Sequence, residues 1–215
     1  MRTESRHWIE LENWVKALGV LEGLGAKFSG DPSRKMEMVT YVLPDLAHAY
    51  LAQSPPRVAE AHPILAELVA SSVKKPSQRT LLDYTRSVTG WVEGTAIEMR
   101  EVPGAGLDAA TFADATDKLN SLANSVDPKW SCEWYALKFQ LAYGYYKWAS
   151  AEGGPQDSRK RDTARRQLNV LIQELGAQFR GTQEVPGMGL ECAEDPILGK
   201  DILRRRFVWL WGRVK

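Results

Sequence analysis

Apolar residues recur at spacings of three and four along most of this chain, and this period predicts helices from end to end. In the first stretch, Trp8, Leu11, Val15, Leu18 and Leu21 follow the spacing and predict one amphipathic helix. No stretch shows the sustained alternation of apolar and polar residues that is typical of a half-buried strand. We therefore predict an all-α fold of about eight amphipathic helices, arranged as antiparallel hairpins in a bundle or a short solenoid.

Proline and glycine mark most of the expected helix boundaries. Asp-Pro pairs at residues 31–32, 127–128 and 195–196 each place a capping side chain before a proline at the first helical position. Pro63 is placed at a helix start by the same argument. Pro44 lies inside an apolar stripe and predicts a kink or a split, because its ring removes one hydrogen-bond donor and crowds the preceding turn.

A seven-residue segment occurs twice, as Glu-Val-Pro-Gly-Ala-Gly-Leu at residues 101–107 and as Glu-Val-Pro-Gly-Met-Gly-Leu at residues 184–190. Its Pro-Gly-x-Gly part favours a helix end. We expect the first copy to end a long helix, whose apolar face comprises Leu81, Tyr84, Val88, Trp91, Val92 and Met99. Both copies are interpreted as structural joints at equivalent helix boundaries.

The stretch around residues 130–148 is the most apolar one. Its main stripe comprises Trp130, Trp134, Leu137, Leu141, Tyr145 and Trp148, and a flank adds Tyr135, Phe139, Ala142 and Tyr146. A helix that is apolar over more than half its circumference usually packs on two sides. We expect this helix at the centre of the domain.

Residues 134–171 resemble a divergent tetratricopeptide repeat. Trp134 and Leu137 match the opening of the first helix of that repeat, and Ala164, Leu168 and Leu171 match the second. Lys138 and Leu141 depart from the glycine and tyrosine of the family pattern, and the two helices are further apart than in the standard unit. The resemblance implies stacked antiparallel helix pairs with a concave surface for a peptide or protein partner.

Composition is that of an ordinary globular protein, with 215 residues of which 44% are hydrophobic and 26% are charged. This length fits a single domain over residues 1–215, with 1–103 and 104–215 as its alternative subdivision. No signal peptide and no transmembrane run are recognised, so a cytoplasmic protein is expected. Cys132 and Cys192 are too few for a disulfide framework or a metal cluster.

Residue types that carry chemistry are scattered. His7, His48 and His62 each stand without a second ligand at helical spacing, so no metal site is expected. Phosphate-binding loops and nucleophile motifs are absent as well. These absences favour a non-enzymatic protein without a cofactor, and the alternative is an all-α enzyme whose site is assembled from residues distant in sequence.

Positive charge is concentrated near the C-terminus. Residues 157–215 contain 12 Lys and Arg against 8 Asp and Glu, although the whole chain has a net charge of only +1. Two basic segments stand out, at residues 158–166 and 200–215. The second contains both Arg and Trp residues, and Trp209 is expected near the surface if Trp211 packs in the apolar stripe. Exposed Trp beside Arg is typical of interaction hot spots.

The sequence therefore predicts a protein-interaction module or scaffold subunit that binds a partner protein or peptide. The residues predicted to contact the partner are Arg205, Arg206, Trp209, Arg161 and Arg165. The alternative is a nucleic-acid-associated subunit of a larger complex, in which the same basic helices contact phosphates. A capping helix with solvated arginines is the third interpretation of the C-terminal segment.

Overall fold

Helices make up nearly all of the described structure. The computed structural model describes residues 2–94, 98–105, 108–126, 132–151, 158–180 and 200–214. Its α-helices are α1 (Arg2–Glu10), α2 (Trp14–Phe28), α3 (Lys35–Glu37), α4 (Leu43–Leu51), α5 (Val58–Ala70), α6 (Gln78–Thr89), α7 (Ala109–Ser125), α8 (Cys132–Ala149), α9 (Ser158–Arg180) and α10 (Lys200–Val214). A 3-10 turn (Pro32–Arg34), a π-helical turn (Met38–Val42) and two short strands, β1 (Trp91–Glu93) and β2 (Arg100–Val102), complete it. The predicted all-α class is confirmed.

The chain divides into two compact units, unit 1 (Met1–Ser87) and unit 2 (Val88–Lys215). The boundary falls just before the end of α6, whereas the sequence suggested residues 103 and 104 as an alternative subdivision. A single domain over the whole chain stays a prediction. Each unit is therefore described by itself.

The first predicted helix is two helices in unit 1. Glu12 has a positive φ of 52°, and the Asn13 side chain caps α2 by accepting a hydrogen bond from the Lys16 backbone N–H at 3.3 Å. Asn competes with the helical backbone for hydrogen bonds and favours this position. The expected stripe is therefore broken: Leu11 and Val15 are 59% and 74% exposed.

The Asp-Pro pair at residues 31–32 begins the 3-10 turn. The Asp31 carboxylate accepts a hydrogen bond from the Ser33 backbone N–H at 2.9 Å, and Pro32 occupies the first position of the turn. The cap-then-proline prediction thus holds here, although it opens a 3-10 turn before the short helix α3. The pairs at residues 127–128 and 195–196 lie outside the described residues.

The other prolines of unit 1 behave differently from one another. Pro44 lies in the first turn of α4, directly after the π-helical turn, and the backbone at Val42 and Leu43 stays helical, so the predicted split does not occur there. Pro63 was expected at a helix start, and this was wrong, because it lies inside α5. Helix α5 begins earlier because Ala61, Leu65 and Leu68 form a buried face on both sides of Pro63. That burial outweighs the one hydrogen bond that the proline removes.

The long helix expected to continue to the first heptapeptide is also corrected. Helix α6 ends at Thr89, and Gly90 adopts a φ of +73°, a left-handed conformation that ends helices. A hairpin follows, in which β1 and β2 pair antiparallel with Trp91 opposite Val102. Trp91 fitted a helical spacing by sequence alone, but glycine at the preceding position separates it from the helix.

The first heptapeptide therefore begins inside strand β2, with Glu101 and Val102, and not at the end of a helix, so the interpretation of it as a helix end is wrong. Its Pro103-Gly104 pair brings the chain back against the end of α6. A Cβ atom on Gly104 would lie 2.2 Å from the Val88 carbonyl oxygen and 2.8 Å from the Gly90 backbone nitrogen. The joint thus depends on direct contact between two backbone segments. The second copy, at residues 184–190, lies outside the described residues.

Helix α8 lies among three helices of unit 2. It contacts α7, α9 and α10, in agreement with the packing expected from its broad apolar surface. Gly144 lies against Thr116 of α7, and Lys160 near the start of α9 lies over Trp148 near the end of α8. Tyr143 of α8 is fully buried at the centre.

Replacing Gly104 by Ala is expected to lower the free energy of unfolding of unit 2 by about 2 kcal/mol, because the new methyl group forces two backbone segments apart. Gly212→Ala is the matched control. Nothing lies within 4 Å of a Cβ atom there, so this helical change should raise stability by roughly 0.5 kcal/mol. Denaturant unfolding followed by tryptophan fluorescence measures both. Equal stability of the two variants would contradict the backbone contact.

Candidate functional site

The inward face of α10 attaches this helix to unit 2. Leu203, Phe207, Leu210 and Val214 recur at spacings of three and four, and each is at most 1% exposed. The Phe207 ring meets the edge of Phe139 on α8 with 5.6 Å between ring centroids. Burial of four large side chains contributes several kcal/mol and fixes the rotation of α10 about its axis. The residues on the opposite face are therefore held outward.

That opposite face is the outer stripe, which we define as Arg205, Val208, Trp209, Gly212 and Arg213. Its members are spaced three, one, three and one apart and so share one side of the helix. Arg205, Gly212 and Arg213 are exposed, Val208 is 54% exposed, and Trp209 is half-buried. Trp209 and Trp211 are both half-buried, whereas the sequence placed Trp209 near the surface on the condition that Trp211 packs in the apolar stripe. The last residue of the buried inward face is Val214, and Trp211 does not belong to that face.

Trp209 and Arg213 form a stacked pair at the end of the outer stripe. The Arg213 guanidinium carbon lies 3.7 Å from the centre of the Trp209 ring, and the Tyr143 ring lies 6.4 Å from that ring. Stacking leaves the N–H edges of a guanidinium able to donate hydrogen bonds. Among the described residues, no carboxylate comes within ion-pair distance of Arg213.

Tyr143 connects this region to the hairpin. Its hydroxyl donates a hydrogen bond to the Glu101 carboxylate at 3.1 Å. Burial raises the pKa of Tyr143 well above its ordinary value, and the negative charge of Glu101 raises it further, so the hydroxyl stays protonated. Sequence reasoning missed Tyr143, because it lies in neither of the two apolar stripes proposed for this helix. Its spacing of four from Phe139 was the available signal.

Arg165 of α9, one of the predicted contact residues, points to the end of α10. Its Nε and Nη2 atoms donate to the Val214 carbonyl oxygen at 3.1 and 2.7 Å. This carbonyl belongs to the last helical turn, where backbone acceptors have no partner within the helix. The positive charge also complements the negative end of the helix dipole. Arg165 therefore positions α10.

The other predicted contact residues have different environments. Arg161, one turn before Arg165, is exposed, as is Arg205. Arg206 is half-buried. The neighbouring Lys160 ammonium lies 3.6 Å from the centre of the Trp148 ring of α8, so this part of the basic run stabilises helix packing. The structure thus leaves Arg161 and Arg205 exposed to solvent and gives Lys160 and Arg165 contacts inside unit 2.

Two of the three histidines of unit 1, His48 and His62, make hydrogen bonds between helices. His48 Nδ1 lies 2.9 Å from the carboxylate of Asp83, which is 3% exposed, and this pair joins α4 to α6. His62 Nδ1 lies 2.9 Å from the hydroxyl of Ser87, and its ring stacks on Tyr84. Among the residues that the structure describes, no group of three or more potential ligands could hold a metal ion.

The Ser87–His62 pair resembles a nucleophile and a base only in residue type. Ser87 is fully buried, and its hydroxyl donates to the Tyr84 carbonyl oxygen at 2.7 Å. Since a serine hydroxyl has one proton, His62 must be the donor in its contact with Ser87. Neither atom is arranged to attack a substrate. The geometry is that of a hydrogen bond that joins α5 to α6.

Arg165→Ala is expected to lower the free energy of unfolding of unit 2 by about 1 kcal/mol, because the carbonyl at the end of α10 loses a charged donor in a partly exposed setting. Arg161→Ala removes the same charge from an exposed position of the same helix, and we expect it to leave stability within about 0.5 kcal/mol. Thermal or denaturant unfolding measures both changes. If Arg161→Ala loses as much stability as Arg165→Ala, then Arg165 does not position α10.

Burial lowers the pKa of His62 below its ordinary value of 6.5. The folded chain therefore binds a proton less readily than the unfolded chain, and stability is complete above pH 6.5 and falls as the pH drops from 6.5 towards the lowered pKa. Unfolding curves at pH values on either side of 6.5 should show a weaker pH dependence for His62→Gln. The exposed His7→Gln is the control. An unchanged pH dependence in His62→Gln would refute this assignment.

In the described part of the chain, no helix combines the length and apolar character needed to cross a bilayer. Comparison with known proteins adds no relative: no family model, no curated protein and no solved structure matches this chain.

Proposed function

We propose that this chain is a non-enzymatic protein-interaction module or scaffold subunit, and that it binds an acidic partner protein through α9 and α10. The observation that supports this proposal best is the outer stripe, where Arg205 and Arg213 lie exposed beside the half-buried Trp209. Arg and Trp are the residues most enriched in interface hot spots.

Charge on the neighbouring helix supports the same partner. Helix α9 contacts α10 and presents exposed Arg159, Arg161 and Arg166, with Asp162 as an exposed acidic residue among them. A surface of one predominant charge steers partners of opposite charge and raises their association rate. Because α10 is fixed by its buried face, its backbone has little freedom to lose when the outward arginines bind a partner.

The second candidate is a nucleic-acid-associated subunit, for which the same exposed arginines would contact phosphates. The positive charge of these arginines is the one observation that favours a nucleic-acid partner. One face of the Trp209 ring is already covered by the Arg213 guanidinium, which leaves that face closed to a stacked base. We therefore place the protein partner first.

The test is charge reversal on both helices, with Arg161→Glu and Arg205→Glu combined. We expect recovery of the native partner from its own cell extract to fall at least about tenfold, because two attractive charges become repulsive. The matched control combines Arg6→Glu and Lys35→Glu, which changes net charge equally at exposed positions of unit 1. Quantitative mass spectrometry of the captured proteins is the measurement.

Two outcomes would contradict the proposal. If the control variant loses the same proteins, the effect reflects net charge and not the surface of α9 and α10. If the captured material is nucleic acid, and gel retardation by the purified chain disappears with the double reversal and with added salt, the second candidate replaces the first.

A further inference from the structure

We infer that the outer stripe of α10 is the docking site for an amphipathic helix of the partner, one that carries acidic residues at both ends of a short apolar segment. This inference rests on the proposed function and specifies the partner element that α10 recognises. The evidence for it is the order of residues along the stripe: basic Arg205, apolar Val208 and Trp209, then Gly212 and basic Arg213.

The spacing of the two arginines gives the length of the site. Arg205 and Arg213 are eight positions apart on one helix, which corresponds to about 12 Å along its axis. Two helices that pack at a small crossing angle run side by side over such a distance. Acidic residues that are seven or eight positions apart on the partner helix would therefore meet both guanidinium groups.

The centre of the stripe suits close approach of a helix. Val208 is 54% exposed and offers an apolar surface between the two charges. A Cβ atom on Gly212 would have no neighbouring atom within 4 Å, so the backbone of α10 is open to contact there. An apolar side chain of the partner can cover Val208 and Gly212 together, and this burial removes apolar surface from water.

Arg213 is prepared for binding a carboxylate. Its guanidinium is stacked 3.7 Å from the centre of the Trp209 ring, which restricts the rotamers of a side chain that is otherwise flexible. A planar guanidinium can bind a carboxylate through two parallel hydrogen bonds. Less conformational entropy is then lost on binding than for an unconstrained arginine.

The charges around the stripe favour an acidic occupant. Lys147 of α8 lies 5.9 Å from the centre of the Tyr143 ring, on which Trp209 packs, and adds a third positive charge to this region. Glu101 is the acidic residue nearby on the hairpin, and it accepts the hydrogen bond of Tyr143. An apolar contact at Val208 has no counterpart in a phosphate backbone, which makes a helix a better match than a nucleic acid.

The experiment is a selection from a displayed library of random helical peptides of about four turns, performed on the full chain. We expect the enriched peptides to carry Asp or Glu seven or eight positions apart, with an apolar residue between them. Enrichment of peptides without this acidic spacing would overturn the inference, and so would the absence of any enrichment over a bare support.

Gly212→Leu supplies the decisive variant. The added side chain occupies open space, and leucine favours a helix more than glycine does, so the chain should remain folded while the stripe is blocked. Binding of a selected peptide should weaken at least about tenfold, and Arg213→Ala and Arg205→Ala should act in the same direction. Arg6→Ala, which removes an exposed arginine of α1 in unit 1, is the control and should leave the affinity within about twofold.

The outcome separates this inference from the proposed function. If the native partner is lost on reversal of Arg161 and Arg205 but is retained by Gly212→Leu and Arg213→Ala, the interaction surface stands and the helix-docking site on α10 fails. If all of these variants retain the partner, both fail. Competition of a selected peptide by duplex DNA, with the same dependence on Gly212→Leu, would assign the stripe to nucleic acid and overturn the inference.

Discussion

Unit 2 depends on the burial of α8 among α7, α9 and α10. One buried polar side chain of α8 is hydrogen-bonded outside these three helices: Gln140 Nε2 donates to the Thr89 hydroxyl and to the Gly90 carbonyl oxygen at 2.8 and 2.7 Å. An unpaired amide at that depth would cost about 1 to 3 kcal/mol. These hydrogen bonds join α8 to the last residue of α6 and to Gly90, which directly precedes the hairpin.

The side chains of α8 also restrain residues on the surface of α10. Phe139 and Tyr143 are one turn apart on α8, and they contact Phe207 and Trp209 respectively. Phe207 fixes the helix, whereas Trp209 supports Arg213 at the surface. A side chain that binds a partner is more effective when neighbours limit its rotamers, since less entropy is lost on association. The packing of α8 is thus a physical condition for the proposed interaction surface.

Much of the fold could be predicted from the spacing of apolar residues, because burial of one helical face is the largest local signal in a sequence. The same signal failed at Trp91, where helical spacing continued through Gly90 into a strand. It also failed at Asn13, whose capping side chain divides an otherwise regular stripe. In both cases a single residue with a special backbone preference, Gly90 or Asn13, ends the helix that the spacing of the apolar residues predicts. The spacing of apolar residues contains no information about such single positions.

The candidate site was harder to predict, because charge in a sequence does not indicate its partner. Arg161 and Arg165 are one turn apart in one basic run, yet Arg165 donates to the end of α10 while Arg161 is exposed. Arg213 was not among the predicted contact residues, although its spacing of four from Trp209 permits their stacking. What separates a structural arginine from one that can bind a partner is the element opposite to it. That element is distant in sequence, and only the packing of α8, α9 and α10 brings it near.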